Sequence, residues 1–118
     1  MIKFHKNGKT IAEITEDNQA ISEVQDMLDI MGDCGIHDCN RIIIREAGLH
    51  PDFFRLHTGL AGEILQKFST YNFRLAIIGD YSKYTSKNLQ DFIRESNKGN
   101  RIFFVNDFEE ALKKLRGL

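Results

Sequence analysis

The chain has 118 residues, with 16 Lys+Arg against 17 Asp+Glu, a formal charge of -1, and 42% hydrophobic residues. Domains run to roughly 100–200 residues, so this is one domain, spanning 1–118, and the near-neutral balance argues against a dedicated nucleic-acid binder. The single proline excludes Pro-rich linkers, and runs such as Leu75-Ala76-Ile77-Ile78 are too short to cross a membrane. With two cysteines and no apolar leader in Met1-Ile2-Lys3-Phe4-His5-Lys6, cytoplasmic residence without disulfides is the expectation.

Taken in chain order, Ile2-Lys3-Phe4-His5 and Thr10-Ile11-Ala12-Glu13-Ile14 alternate apolar and polar around Asn7-Gly8. That pair predicts a two-residue type I′ hairpin, because both central residues need φ > 0. The period then changes: Ile21, Val24, Leu28 and Met31 fall on one helical face. Ser22 with Gln25 is a candidate capping box, and Gly32 or Gly35 a candidate stop. Arg41-Ile42-Ile43-Ile44-Arg45 reads as a strand buried on both faces. After a loop through Gly48 and Pro51, Leu60, Ala61, Ile64, Leu65 and Phe68 form the stripe of a second helix, with Thr58 placed as its N-cap. Arg74–Gly79 is another buried strand. A third helix carries Leu89, Phe92 and Ile93, capped by Ser86, and Arg101–Val105 is the last strand. Asp107 and Glu110 then open a final helix. The order β-β-α-β-α-β-α-β-α predicts an α/β fold with a mixed, mostly parallel sheet after an N-terminal β-hairpin.

The stretch His57-Thr58-Gly59-Leu60-Ala61-Gly62, with Glu63-Ile64-Leu65, resembles the Ser/Thr-Gly-Leu-Gly segment of STAS domains, the fold of bacterial anti-sigma-factor antagonists. Leu75-Ala76-Ile77-Ile78-Gly79 and Phe104-Val105-Asn106-Asp107-Phe108-Glu109-Glu110-Ala111-Leu112 are similar to that family's later strand and its closing strand, turn and helix. The resemblance implies a STAS-like single domain in which Thr58, the hydroxyl residue before the glycine, is a phosphoacceptor read by a partner protein. Leu56-His57 replaces the family's Asp-Ser before that residue, and the loop containing Pro51-Asp52-Phe53-Phe54 is longer than the family's. The whole chain, with Thr58 to Phe68 and Gly79-Asp80-Tyr81-Ser82, also resembles an uncharacterised bacterial family, a domain of unknown function.

Parallel strands bring the Thr58-Gly59 and Asp80–Ser86 loops to one end of the sheet, where open α/β sheets bind ligands. Helix starts there offer unpaired N–H groups to an anion or a phosphorylated hydroxyl, and Gly59 permits close approach. The plainer reading makes Thr58 and Ser86 caps and Asp80 a turn residue. Asp80 with Ser82, Tyr84 and Ser86 could form an acid/base or nucleophilic site, with His57 as base, but no nucleophile elbow or phosphate loop accompanies them. Cys34-Gly35-Ile36-His37-Asp38-Cys39 offers three poorly spaced zinc ligands, so no metal and no cofactor are expected, and serine at both cysteines is expected to leave folding unchanged. Phe53-Phe54 is either a pair covering the sheet edge or, if exposed, a partner-binding anchor. Lys83, Lys87, Arg94, Lys98 and Arg101 around the third helix read as a solvated face.

These features favour a non-enzymatic regulatory or protein-binding module. It docks a protein partner through the Thr58 helix start, with His57 and Gly59, and through the Asp80–Ser86 loop. The alternative is a small enzyme or anionic-ligand-binding domain using Asp80, Tyr84 and His57 in the same crevice. A homodimer through an apolar symmetric face is a third reading, and no membrane association is expected.

Overall fold

The computed structural model describes residues 1–117. Strands β1 (Ile2–His5) and β2 (Ile11–Ile14) pair antiparallel, with Ile2 opposite Ile14 and His5 opposite Ile11. The connection therefore runs from Lys6 to Thr10, and within it only Gly8 has positive φ, at 88°. A type I′ turn needs positive φ at both central positions, so the expected two-residue turn gives way to a longer loop.

Strands β3 (Arg41–Arg45), β4 (Arg74–Ile78) and β5 (Ile102–Val105) add in parallel, giving a mixed sheet of order β1-β2-β3-β4-β5. Helices α1 (Val24–Ile36), α2 (Leu60–Thr70) and α3 (Lys87–Lys98) connect successive parallel strands, and α4 (Phe108–Arg116) follows β5. When each parallel strand adds on the same side of the last, right-handed crossovers place every connecting helix on one face. The packing agrees. Met27, Met31 and Cys34 of α1, Ile64 and Phe68 of α2 and Leu89 of α3 share a core with Ala12, Ile14, Ile42, Ile44, Leu75, Ile77 and Phe104. The alternate residues Ile11, Ile43, Ala76, Phe103 and Val105 point to the opposite face, where Ala111 and Leu115 of α4 cover them. Among the described residues no helix is long and apolar enough to cross a membrane.

Two helix ends differ from the sequence reading. The N-cap of α1 is Glu23, in a reciprocal box with Asp26, while Ser22 donates to Asp26 from both its amide and its hydroxyl. Gln25 instead bonds Asp29. The helix runs through Gly32 and Gly35 and ends where the Cys39 amide returns to the Cys34 carbonyl, with Asp38 at φ 56°. That is the left-handed stop usually supplied by glycine, here supplied by an aspartate, which tolerates it better than most residues. The N-cap of α2 is Gly59 (φ 83°), not Thr58, which ends a 3-10 turn, Leu56–Thr58.

Candidate functional site

The candidate residues lie beyond the carboxyl ends of β3 and β4. From β3 the chain enters three short 3-10 turns, Glu46–Gly48, Pro51–Phe54 and Leu56–Thr58, before α2 begins. The segment after β2 straps across the first of these. Gln19 N–H donates to Ala47 O, Ile21 N–H to Gly48 O, and His50 N–H back to Ile21 O at 2.8 Å. From β4 the chain passes through Gly79 and the Asp80–Ser86 loop into α3.

Glu46, which the sequence reading did not single out, joins the two loops. Its carboxylate accepts a hydrogen bond from the Tyr84 hydroxyl and one from the Asp80 amide at 3.4 Å, and lies 2.7 Å from Lys83 Nζ. The close approach requires a glycine at position 79, since a Cβ there would lie 2.6 Å from Glu46 Oε1 and 2.9 Å from Glu46 Cβ. The Tyr84 ring stacks on Phe54 with centroids 4.9 Å apart. Neighbouring Tyr81 turns inward, its hydroxyl donating to Ile77 O at 2.6 Å and its ring meeting Phe104 edge-on. Burial first, then the Glu46 carboxylate, pushes both phenols above their ordinary range.

The remaining loop residues are engaged locally. Asp80 accepts from the Ser82 amide and, at 2.7 Å, from the Ser82 hydroxyl, which holds its carboxyl below the usual range. This is an aspartate turn closed on itself. Ser86 caps α3, accepting from the Leu89 amide. His57 is exposed and has no hydrogen-bond partner among the described residues. Asp80, Tyr84 and His57 thus face three different surroundings rather than one shared reaction centre.

Thr58 is exposed, and its hydroxyl does more than cap. It lies 2.7 Å from Asp52 O and 2.8 Å from Arg55 O as donor, and accepts from the Leu60 amide at 3.3 Å. It therefore ties the Pro51–Phe54 turn to the first turn of α2. Phe53 and Phe54 are both buried, at 1% and 7% exposure, against each other and Phe104. Of the two readings of this pair, burial removes the exposed anchor, and with it the place of Phe53 and Phe54 in the partner-binding surface: a 3-10 turn, unlike an extended strand, lets adjacent side chains both reach the core.

The two loops open onto separate hollows. One of about 420 Å³ is lined by Ser22, Glu23, Asp52, Thr58 and Glu63, among others. The other, about 270 Å³, is lined by Gln19, Glu46, Pro51, Phe54, Lys83 and Tyr84, among others. The Pro51–Phe54 turn contributes to both and stands between them, so the expected single crevice is divided. Three acidic residues, Glu23, Asp52 and Glu63, line the first hollow, which disfavours an anion at the start of α2.

Cys34 and Cys39 are both free and buried. A shared hydrogen bond is the main cause of their opposite shifts, raising the Cys34 thiol and lowering the Cys39 thiol. Among the described residues no group of three or more His, Cys, Asp or Glu side chains is placed to hold a metal ion.

Fold and site together define an α/β domain with a five-stranded mixed sheet, four helices and a double-loop surface at the carboxyl end of the parallel strands. The chain belongs to the family described as a domain of unknown function, DUF4180, whose pattern it matches over residues 6–115. Neither the curated proteins nor the solved structures yield a match.

Proposed function

We propose that the chain is a regulatory, protein-binding module of STAS type that docks a protein partner around Thr58, with modification of Thr58 as the switch. The observation that carries this reading is the Thr58 hydroxyl, exposed to solvent yet holding Asp52, Arg55 and Leu60 together. The resemblance of Thr58-Gly59-Leu60 to the phosphoacceptor segment of STAS domains supports it, and the neighbouring Asp80–Ser86 loop extends the surface at the same sheet end.

Phosphorylation acts here by disruption. The ester oxygen can no longer donate to the Asp52 and Arg55 carbonyls, and about -1.5 to -2 charge arrives beside Glu23, Asp52 and Glu63. Arg55 is a nearby cation, but it already pairs with Asp52. The unmodified protein is therefore the docking-competent form, and its acidic hollow favours a partner presenting Lys or Arg.

A photo-crosslinking residue at position 58, compared with one at Glu95 on α3, tests this in the cells that make the protein. Position 58 is expected to trap one protein that position 95 does not. Thr58→Ser should keep the affinity for that protein, and Thr58→Asp should weaken it about tenfold, the equivalent of losing one charge-assisted contact. Identical trapping at both positions, or equal affinity of the Ser and Asp variants, overturns the proposal.

A further inference from the structure

The two cysteines meet where α1 stops, at the amino end of β3. Cys34 lies in the last turn of α1 and Cys39 two residues before β3, and both are buried. Backbone bonds bring them together. The Cys39 amide donates to Cys34 O at 3.0 Å and the Asp38 amide to Gly35 O at 3.1 Å, the paired bonds of a Schellman stop. Residues joined by one such bond within a helix lie four rises, or about 6 Å, apart. A disulfide spans about 4.4–6.8 Å between α-carbons, so the backbone already has the separation it needs. The side chains also meet, sharing a hydrogen bond between their sulfurs.

The two sulfurs have unlike surroundings. As a thiol, Cys39 has the Arg41 carbonyl at 3.3 Å and the Thr10 carbonyl at 3.4 Å to donate to. As a thiolate it accepts from the Cys34 thiol and from the Arg41 and Ala12 amides, with the Arg41 charge nearby, and these outweigh its burial. Cys34 is held as a thiol, first by that bond to Cys39 and then by burial. One sulfur is thus set up as a nucleophile and the other keeps its proton. Their cover is thin and weakly held. The four residues between them, Gly35 to Asp38, are all exposed. Gly32 and Gly35 weaken α1 without a packing reason, since no atom lies within 4 Å of where either Cβ would stand. Asp33 faces the negative end of the helix dipole, and Asp38 takes a left-handed φ of 56°. Local preferences therefore oppose this helix end, and its opening lets a small solute reach the sulfurs.

We propose that Cys39 and Cys34 form a reactive site for small hydroperoxides, with Cys39 as the nucleophile and Cys34 as the resolving thiol, ending in a Cys34–Cys39 disulfide. The Cys39 thiolate attacks one peroxide oxygen, the O–O bond breaks, and the other oxygen leaves with the electron pair and takes up a proton as water or an alcohol. Cys39 is then a sulfenic acid. Losing its bond to a thiolate frees Cys34 to give up its proton. Its sulfur attacks that of Cys39, and the sulfenic hydroxyl leaves with the proton as water. Two thiols are oxidised and one peroxide bond is reduced. A hydroperoxide suits the site because it is small enough for a buried sulfur and, being neutral, is not repelled by Asp33 and Asp38. The site lies at the other end of β3 from the Thr58 surface and does not depend on it.

The test treats the reduced, folded chain with hydrogen peroxide, alkylates it in denaturant and reads the intact mass. The wild type is expected to lose two hydrogens, accept no alkyl group and remain a single chain, and dithiothreitol should restore both thiols. Cys34→Ala should stop at the sulfenic acid, captured at Cys39 by dimedone. Cys39→Ala should lose its remaining thiol at least about tenfold more slowly than the wild type. Circular dichroism fixes a temperature at which both variants are folded, and the wild-type result stands without them. Two alkylatable thiols surviving in the wild type, disulfides formed only between chains, or a Cys39→Ala thiol lost as fast as in the wild type overturns the proposal.

Discussion

Replacing Gly79 with alanine tests the junction between the two loops. The new Cβ would lie 2.6 Å from Glu46 Oε1 and 2.9 Å from Glu46 Cβ. Swinging the carboxylate aside relieves the first contact, but the second involves an atom fixed to the backbone of the Glu46–Gly48 turn. Overpacking of this kind costs about 1–3 kcal/mol, partly offset by about 0.4–1 kcal/mol from the stiffer unfolded chain. A net loss of about 1–2 kcal/mol is expected. Glu46→Ala removes the acceptor for the Tyr84 hydroxyl and the Asp80 amide, a loss of about 1.5–3 kcal/mol. Lys83 adds little to this, because its side chain is 57% exposed. In the double variant the Glu46 side chain beyond Cβ is gone and the loop can settle. Its cost should therefore approach that of Glu46→Ala alone, leaving a coupling of about 1 kcal/mol or more. Urea unfolding followed by far-ultraviolet circular dichroism gives all three values. Strictly additive costs would refute the claim that Gly79 is a glycine on account of Glu46.

Raised phenol values at Tyr81 and Tyr84 mean that folding favours their neutral forms. Their contribution is complete below the unfolded tyrosine value near about 10 and is lost as pH rises beyond it. The melting midpoint should thus fall above that pH, and less steeply in Tyr84→Phe; parallel curves would contradict the assignment. Cys34 is fully buried and Cys39 nearly so. The structure therefore reverses the expectation that serine is neutral there: the double serine variant should lose about 2 kcal/mol, as buried hydroxyls replace thiols. An unchanged urea midpoint would show that those positions open readily to water.

Strands and helices were legible where the apolar period was unambiguous, as in Arg41–Arg45, Arg74–Ile78 and the Leu60–Phe68 stripe. Helix ends were less so, because several residues compete for each cap. Ser22 looked like a cap, but Glu23 and Asp26 supply the reciprocal pair one residue later. Thr58 looked like the cap of α2, but left-handed Gly59 takes that place and frees the Thr58 hydroxyl to bond backward. Glu46 carried no local signal beyond directly following a buried strand, since its three partners lie 34 to 38 residues away.

The arrangement of the sheet also bears on how the protein reaches its native state. Each strand pairs with the strand before it in the chain, but the three parallel pairings join residues 27 to 33 positions apart, as Leu75 with Ile102 and Arg41 with Arg74, and such non-local pairing is slow to form. The face formed by Ile11, Ile43, Ala76 and Phe103 is different, because its cover, α4, follows every strand. While a ribosome is still making α4, four strands or more can be assembled with this apolar surface bare. That interval is when the nascent chain is most exposed to self-association and most in need of chaperone protection. The same order makes detachment of α4 a partial opening that bares Ile11, Ile43, Ala76, Phe103 and Val105 while leaving the β-ladder intact.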